Sequence, residues 1–424
     1  MSREEQHVER NWAGNVTYQA DVVEHPSSLE ELREIVLRDG PLRVLGTRHC
    51  FNDIADTSGA LFALDRLPDE IEVSADRDSV RLSSGARYGD IAPALEAEGL
   101  ALSNLASLPH ISVGGATATG THGSGDRIGS LASTVRALTV LTAGGEIRRL
   151  ARGDEGFAGA VVNLGALGVV LDLTLDVEPT YRVAQHVYDE PRWDAILEDL
   201  DAVTGAGTSV SIFSRWQGSD TADQIWVKQR QPDTHADRRA ELMRRLGASD
   251  ADGPRHPIIG VDPVATSEQG GVAGPWFQRL PHFRLEFTPS AGAELQSEYL
   301  VPRSDAVAAI EALRSLADRI APLLLVNEVR TVRADDLWLS SSYGTDAVGL
   351  HFTWRQDEAA VRALLPVLED ALPQTARPHW GKVFTLDGAE VRSRYPRWED
   401  FAALRADFDP ERRFVNAYLE RLGL

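Results

Sequence analysis

Three separated stretches hold the side chains best suited to chemistry. Leu323-Leu-Leu-Val-Asn-Glu-Val-Arg-Thr331 reads as a strand that begins apolar and ends in alternating charge, and Gly349-Leu-His-Phe-Thr-Trp354 reads as a second strand. Alternate residues share a face, so Glu328 points with Arg330 and His351 with Thr353. Two such strands side by side would offer four polar groups to one surface. Arg377-Pro-His-Trp-Gly-Lys382 adds His379 and Lys382 near the C-terminus. A carboxylate can anchor hydroxyls or a guanidinium, and a fixed cation can stabilise a forming oxyanion. Taken alone, Glu328 with Arg330 reads as a structural charge pair and Lys382 as a solvated surface lysine.

The fourth feature is backbone rather than side chain. Ala106 to Gly125, A-S-L-P-H-I-S-V-G-G-A-T-A-T-G-T-H-G-S-G, contains five glycines and no lysine, arginine or acid. It is too poor in large apolar residues for a core helix and too long for a turn. Small residues let backbone N–H groups form concave arrays that hold a pyrophosphate. The spacing is neither a P-loop nor a Rossmann fingerprint. Composition alone fits a surface loop as well as a phosphate cradle. Arg43-Val-Leu-Gly-Thr-Arg-His-Cys-Phe-Asn52 reads as a short strand entering a glycine turn, with His49 just beyond. His110 and His122 have no metal-ligand spacing and no cysteine cluster beside them, so no metal site is expected.

Together these stretches resemble the vanillyl-alcohol-oxidase flavoprotein family. G-T-R-H-x-F-N, then S-L-P-H-I-S-V-x-G and A-T-G-T-H-G-S-G, is most similar to the alditol oxidases, with the sugar-1,4-lactone oxidases close behind. The resemblance implies an α+β fold of two domains, the FAD-binding type with an antiparallel-sheet cap. Its parts would be an FAD domain at 12–178, a substrate cap at 179–372 and a segment at 373–424 returning to the FAD domain. It implies FAD bonded covalently through His49, cradled by Thr47, Arg48, Cys50, Ser107, Ser112, Gly115, Thr119, Gly120, Thr121 and His122. Val170 would lie at the adenine side and His379 against the flavin. Lys382, Arg330 and Glu328 become the catalytic set, and Ser107, Thr353 and His351 join them in binding substrate. The resemblance implies serine where this chain has Cys50, which reads as a buried small residue or as an oxidation-prone thiol. The implied reaction is oxidation of the C1 hydroxyl of xylitol or sorbitol by O2. An aldono-1,4-lactone is the alternative substrate, and a sugar-binding protein without redox chemistry is the rival from another class.

The elements that must position these residues follow from local pattern. Ser28 and Glu31 form a capping box before a helix at 29–38, handing over to a strand at 42–45. Strands are expected at 60–64, 71–73, 79–82, 135–142, 146–150 and 169–177, and a helix at 88–98. Glu178-Pro179 should end the first domain. Beyond it, strands are expected at 209–216, 224–228 and 298–301, helices at 305–320, 358–371 and 397–406, and a long loop at 247–281.

Composition limits the partners. With 43 lysines and arginines against 64 acids, the net charge of −21 repels nucleic acid and anionic membranes. One cysteine excludes an internal disulfide, and no secretory or membrane-spanning segment is expected. A cytoplasmic monomer acting on a small polyol and O2 is the resulting expectation.

Overall fold

Helix α1 (Leu29–Val36) follows its local signals: Ser28 Oγ accepts from Glu31 N at 3.2 Å, and Leu32, Ile35 and Val36 are buried. The return half of the capping box moves by one residue, because the Glu31 carboxylate accepts from Ser27 N at 2.7 Å. The structure, a computed structural model, describes residues 9–218, 220–234, 236–287 and 293–424. In it α1 links β1 (Val23–Glu24) to β2 (Leu42–Leu45), and both run parallel to β3 (Ala60–Ala63) in the order β1–β3–β2.

A second sheet is antiparallel and has five strands. β4 (Ile71–Val73), β5 (Ser79–Ser83), β6 (Val135–Leu141), β7 (Ile147–Ala151) and β8 (Val169–Asp176) take the order β4–β5–β8–β6–β7. Helix α2 (Tyr88–Ala97) turns Ile91 and Leu95 into the core. The glycine-rich run contains a short helix, α3 (Val113–Ala118), which its composition argued against. Its small residues are what let it sit there. A Cβ on Gly114 would lie 2.9 Å from the Ser84 Cβ. Strand β8 ends at Asp176, and Glu178-Pro179 then pairs with Leu100–Ala101 before the chain enters the next sheet.

The largest sheet carries the polar face. β9 (Arg182–Asp189), β10 (Ser209–Ser214), β11 (Gln224–Arg230), β12 (Glu294–Pro302), β13 (Leu324–Val332) and β14 (Ala347–Arg355) run β9–β11–β10–β13–β14–β12. The expected loop at 247–281 is partly structured, because Ser249–Asp250 and Gly274–Pro275 both pair with β9. Val348, Leu350, Phe352 and Trp354 of β14 face one way and pack with α4 (Ala306–Ser315) and α5 (Glu358–Ala371). Val361, Leu364, Leu365 and Leu368 form the helical stripe of α5, and each buried leucine contributes roughly 1.5–3 kcal/mol. The helix expected at 305–320 breaks at Leu316, resuming as Ala317–Ile320. The opposite face of the sheet bears Gln296, Glu298, Glu328, Arg330, His351 and Thr353. Near the C-terminus, Trp380, Tyr395, Trp398 and Tyr418 share one apolar cluster with Val80, Leu82 and Leu173 of the five-stranded sheet.

Candidate active site

A cavity of about 670 Å³ separates the glycine-rich segment from the polar sheet face. Its lining includes Thr47, Arg48, His49, Cys50, Ser107, Ser112, Gly115, Thr119, Thr121, His122, Val170 and His379 on the side expected to hold the cofactor. Glu328, Arg330, His351, Thr353 and Lys382 line the same cavity. Gly120 is the exception. With φ of +66° it turns the chain after α3, donating N–H to Thr117 O at 3.1 Å, so its role is the turn.

Two segments meet here as bare backbone. A Cβ on Gly46 would lie 3.0 Å from Ser112 Oγ, and one on Gly115 2.9 Å from the same atom. Such a surface leaves room for an extended ligand to approach main-chain N–H groups. Beside it the His49 ring stacks on Trp12, with centroids 5.6 Å apart and planes at 17°. Its Nδ1 lies 3.3 Å from Thr47 Oγ1, and its Nε2 is buried without a hydrogen-bond partner among the described residues. Burial lowers the imidazole to about 4, so it is neutral near pH 7. Arg48 adopts φ of +63° and sends its guanidinium to Glu9 at 3.2 Å. Burial pushes the Cys50 thiol up to about 11, which makes it a packed neutral group rather than a reactive thiolate. A long cavity with a glycine wall and a neutral, unpartnered imidazole fits FAD.

The G-T-R-H-x-F-N and H-W-G-K motifs are joined directly. Phe51 N donates to Gly381 O at 2.7 Å, and Asn52 Nδ2 donates to the carbonyls of Trp380 and Lys382 at 2.8 Å each. The first motif therefore sets the height of Lys382. Its ammonium lies 4.8 Å from the centre of the Phe51 ring and donates to Gln296 Oε1. His351 Nε2 shares that acceptor at 3.1 Å, and Gln296 Nε2 donates to Glu294 Oε1 at 2.5 Å. Burial lowers the Lys382 pKa and brings His351 and His379 each to about 3. The site's positive charge thus rests on Lys382 and Arg330 rather than on these histidines.

Arg330 keeps its ion pair with Glu328 and gains a second, closer carboxylate partner. Its Nη2 donates to Glu298 Oε1 at 2.6 Å, whereas its Nε is 3.6 Å from Glu328 Oε2. Register explains this: Arg330 pairs with Gly349 on β14, which has no side chain to block the guanidinium from reaching across to β12. A Cβ at Gly349 would stand 3.3 Å from Glu298 Oε1. Glu298 also lies 3.2 Å from His122 Nε2, which couples the glycine-rich segment to the sheet. Arg330 Nη1 donates to Ser107 Oγ at 3.3 Å. Glu328 Oε1 takes a 2.8 Å hydrogen bond from His282 Nε2. Burial pushes both carboxyls up, but the Arg330 charge outweighs it, with His122 aiding Glu298 and His282 aiding Glu328, and holds both below the usual carboxylate range.

Sequence reading missed Gln296, Glu298, His282, Trp12 and Phe51 in the lining of this site. A signal existed for two of them, since Glu294, Gln296 and Glu298 alternate with Leu295, Ser297 and Tyr299 along β12.

The D-arabinono-1,4-lactone oxidase family matches residues 293–422, and the FAD binding domain family matches 20–151. An alditol oxidase from Streptomyces is 47% identical over 97% of this chain and 98% of its own length. An L-gulono-1,4-lactone dehydrogenase from Mycobacterium tuberculosis is 29% identical, with the same shares covered. Cholesterol oxidase from B. sterolicum superposes with a TM-score of 0.76 at 13% identity, covering 98% of this chain and 96% of that one, and so shares the fold. No helix among the described residues is long and apolar enough to cross a membrane. The chain belongs to the alditol oxidase family and is an FAD-dependent oxidoreductase.

Proposed function

We propose that the protein oxidises the C1 hydroxyl of a polyol such as xylitol or sorbitol to the aldose while O2 is reduced to H2O2. The observation that carries this reading is the meeting of Lys382, Arg330 and Glu328 in the cavity that His49 and the glycine wall also line. FAD, when bound, supplies the hydride acceptor and returns the electrons to oxygen. The rest falls to side chains. Lys382 donates to a neutral amide, whereas Arg330 is held by carboxylates, so the ammonium keeps more of its field for the cavity. Beside a hydroxyl it loosens the proton and stabilises the oxygen that remains. Glu328, ionised and a weak base, accepts from neighbouring hydroxyls and acts as anchor. Arg330, Ser107, Thr353 and His351 orient the remainder of the chain, and His379 meets the flavin side.

A covalent bond from His49 to the flavin is part of this reading, supported by the neutral ring and its unpartnered Nε2. So is the division into an FAD unit at 12–178, a cap at 179–372 and a returning segment at 373–424, supported by the apolar cluster that joins Trp380 and Tyr418 to the five-stranded sheet. A cytoplasmic monomer completes it, supported by the single cysteine and the high negative charge. An aldono-1,4-lactone is the second substrate reading, favoured by the family match over 293–422. Oxygen uptake by the purified protein on xylitol, sorbitol and L-gulono-1,4-lactone decides between them, and activity on the lactone alone overturns the polyol reading. Acid-precipitated protein should be yellow; a colourless pellet with flavin in the supernatant overturns the covalent bond.

A further inference from the structure

Behind Glu328 lies a buried lysine that the reaction does not yet use. Lys228, on β11, is 1% exposed, and its Nζ donates to three acceptors: the Leu280 carbonyl, the Pro281 carbonyl at 3.1 Å and His282 Nδ1 at 3.0 Å. An ammonium has three protons and no lone pair, so three acceptors satisfy it and His282 Nδ1 has to accept. The proton of a neutral imidazole then sits on Nε2, from which it donates to Glu328 Oε1 at 2.8 Å. Phe213 and Trp226 meet the ring edge-on at 5.6 and 5.4 Å and clamp it. Glu328 keeps its other oxygen toward Arg330, at 3.6 Å from Nε, on the cavity side.

We propose that Lys228 and His282 are positioning residues for polyol binding: the ammonium selects the His282 tautomer, and that tautomer holds Glu328 with one oxygen presented to substrate hydroxyls. This rests on Glu328 being the polyol anchor. Without the ammonium, the imidazole proton moves to Nδ1 and meets the vacated carbonyls of Leu280 and Pro281. Nε2 then turns a lone pair on the carboxylate, two acceptors repel, and Glu328 swings to Arg330. The charged or titratable groups facing Lys228 are Glu328 and Arg330 from β13 and His282 from its own segment, while β10 and β11 contribute the uncharged Phe213 and Trp226. Burial lowers Lys228 to about 7, with Glu328 opposing and Arg330 assisting. The tautomer-selecting charge is therefore present below that pH and lost above it.

The test uses flavin-loaded enzyme, xylitol, and the variants Lys228→Met and His282→Gln. A hydrogen bond to a charged group is at stake, so K228M should raise the xylitol KM about 10- to 100-fold with kcat changed by less than about threefold. The wild-type KM should climb between about pH 6 and about pH 8.5, and the K228M and H282Q values should be flat across that range. In ¹⁵N-histidine-labelled protein the signal that H282Q removes should report an Nε2–H imidazole in wild type and Nδ1–H in K228M. Should K228M fail to fold, H282Q and the wild-type spectrum carry the test. Wild-type KM and pH profile in either variant, or an unchanged tautomer in K228M, overturns the proposal. If wild-type enzyme leaves xylitol untouched, the substrate reading fails, while the tautomer spectra still decide the relay.

Discussion

Replacing Lys382 by methionine removes one charge from the cavity while nearly conserving volume, so its effects on stability and on turnover should separate. The ammonium's recorded acceptor, Gln296 Oε1, still accepts from His351 Nε2 at 3.1 Å after the change, and Glu298 still holds Arg330 at 2.6 Å. Gln296 Oε1 therefore keeps a donor and one desolvated charge disappears, so stability should stay within about 1 kcal/mol of wild type or rise. Turnover loses a fixed cation at the oxygen that develops negative charge, worth about 3–4 kcal/mol, or roughly 10²- to 10³-fold in kcat. Burial lowers the Lys382 pKa, with Glu298 opposing, so any wild-type loss of kcat on the alkaline side through this group should vanish in the variant. The assay is oxygen uptake on xylitol beside flavin absorbance per chain and a thermal melt. Turnover within about threefold of wild type, or activity lost only in proportion to flavin, would refute the reasoning.

Three further changes probe other parts of the site. His49→Ala should leave bound flavin extractable by acid, and flavin that stays attached would mean another residue forms the bond. Glu298→Gln takes the closer carboxylate from Arg330, and with Glu328 still at 3.6 Å the cost should fall near the low end of about 3–5 kcal/mol, read by denaturant melting. Because Glu298 is held below its ordinary pKa, its stabilisation is present above about 4.5 and lost as pH falls, so E298Q should show a shallower acid loss than wild type. Gly114→Ala puts a methyl 2.9 Å from Ser84 Cβ and 3.0 Å from Ser84 O, an overpacking of about 1–3 kcal/mol that should lower flavin occupancy; full occupancy and an unchanged melt would mean the cradle yields at no cost.

Much of the architecture was legible because it is local. Period-two alternation places β8 and β13 within a residue or two, and the capping signal at Ser28 places α1. Other elements lacked a local signature. β9, R-V-A-Q-H-V-Y-D, is buried on both faces and shows little alternation, while helix Ala236–Arg245 is so rich in charge that no apolar stripe stands out. Within the glycine-rich run, α3 forms because close packing on Ser84 replaces the large apolar face that a surface helix needs.

By itself, the amino-acid order determined which residues share a strand face, and so brought Glu328 with Arg330 and His351 with Thr353 to one surface. It also determined, through the glycines at 46, 114 and 115, that a wall of bare backbone was available. Only the tertiary structure decided who partners whom. Arg330 donates its short hydrogen bond to Glu298, 32 residues earlier, because Gly349 leaves the path open between them. Lys228 reaches His282, 54 residues later, because strand order turns both behind Glu328. Side-chain alternation is a property of neighbouring residues in one strand, whereas a buried charge finds its partner through register across strands, which no local stretch encodes.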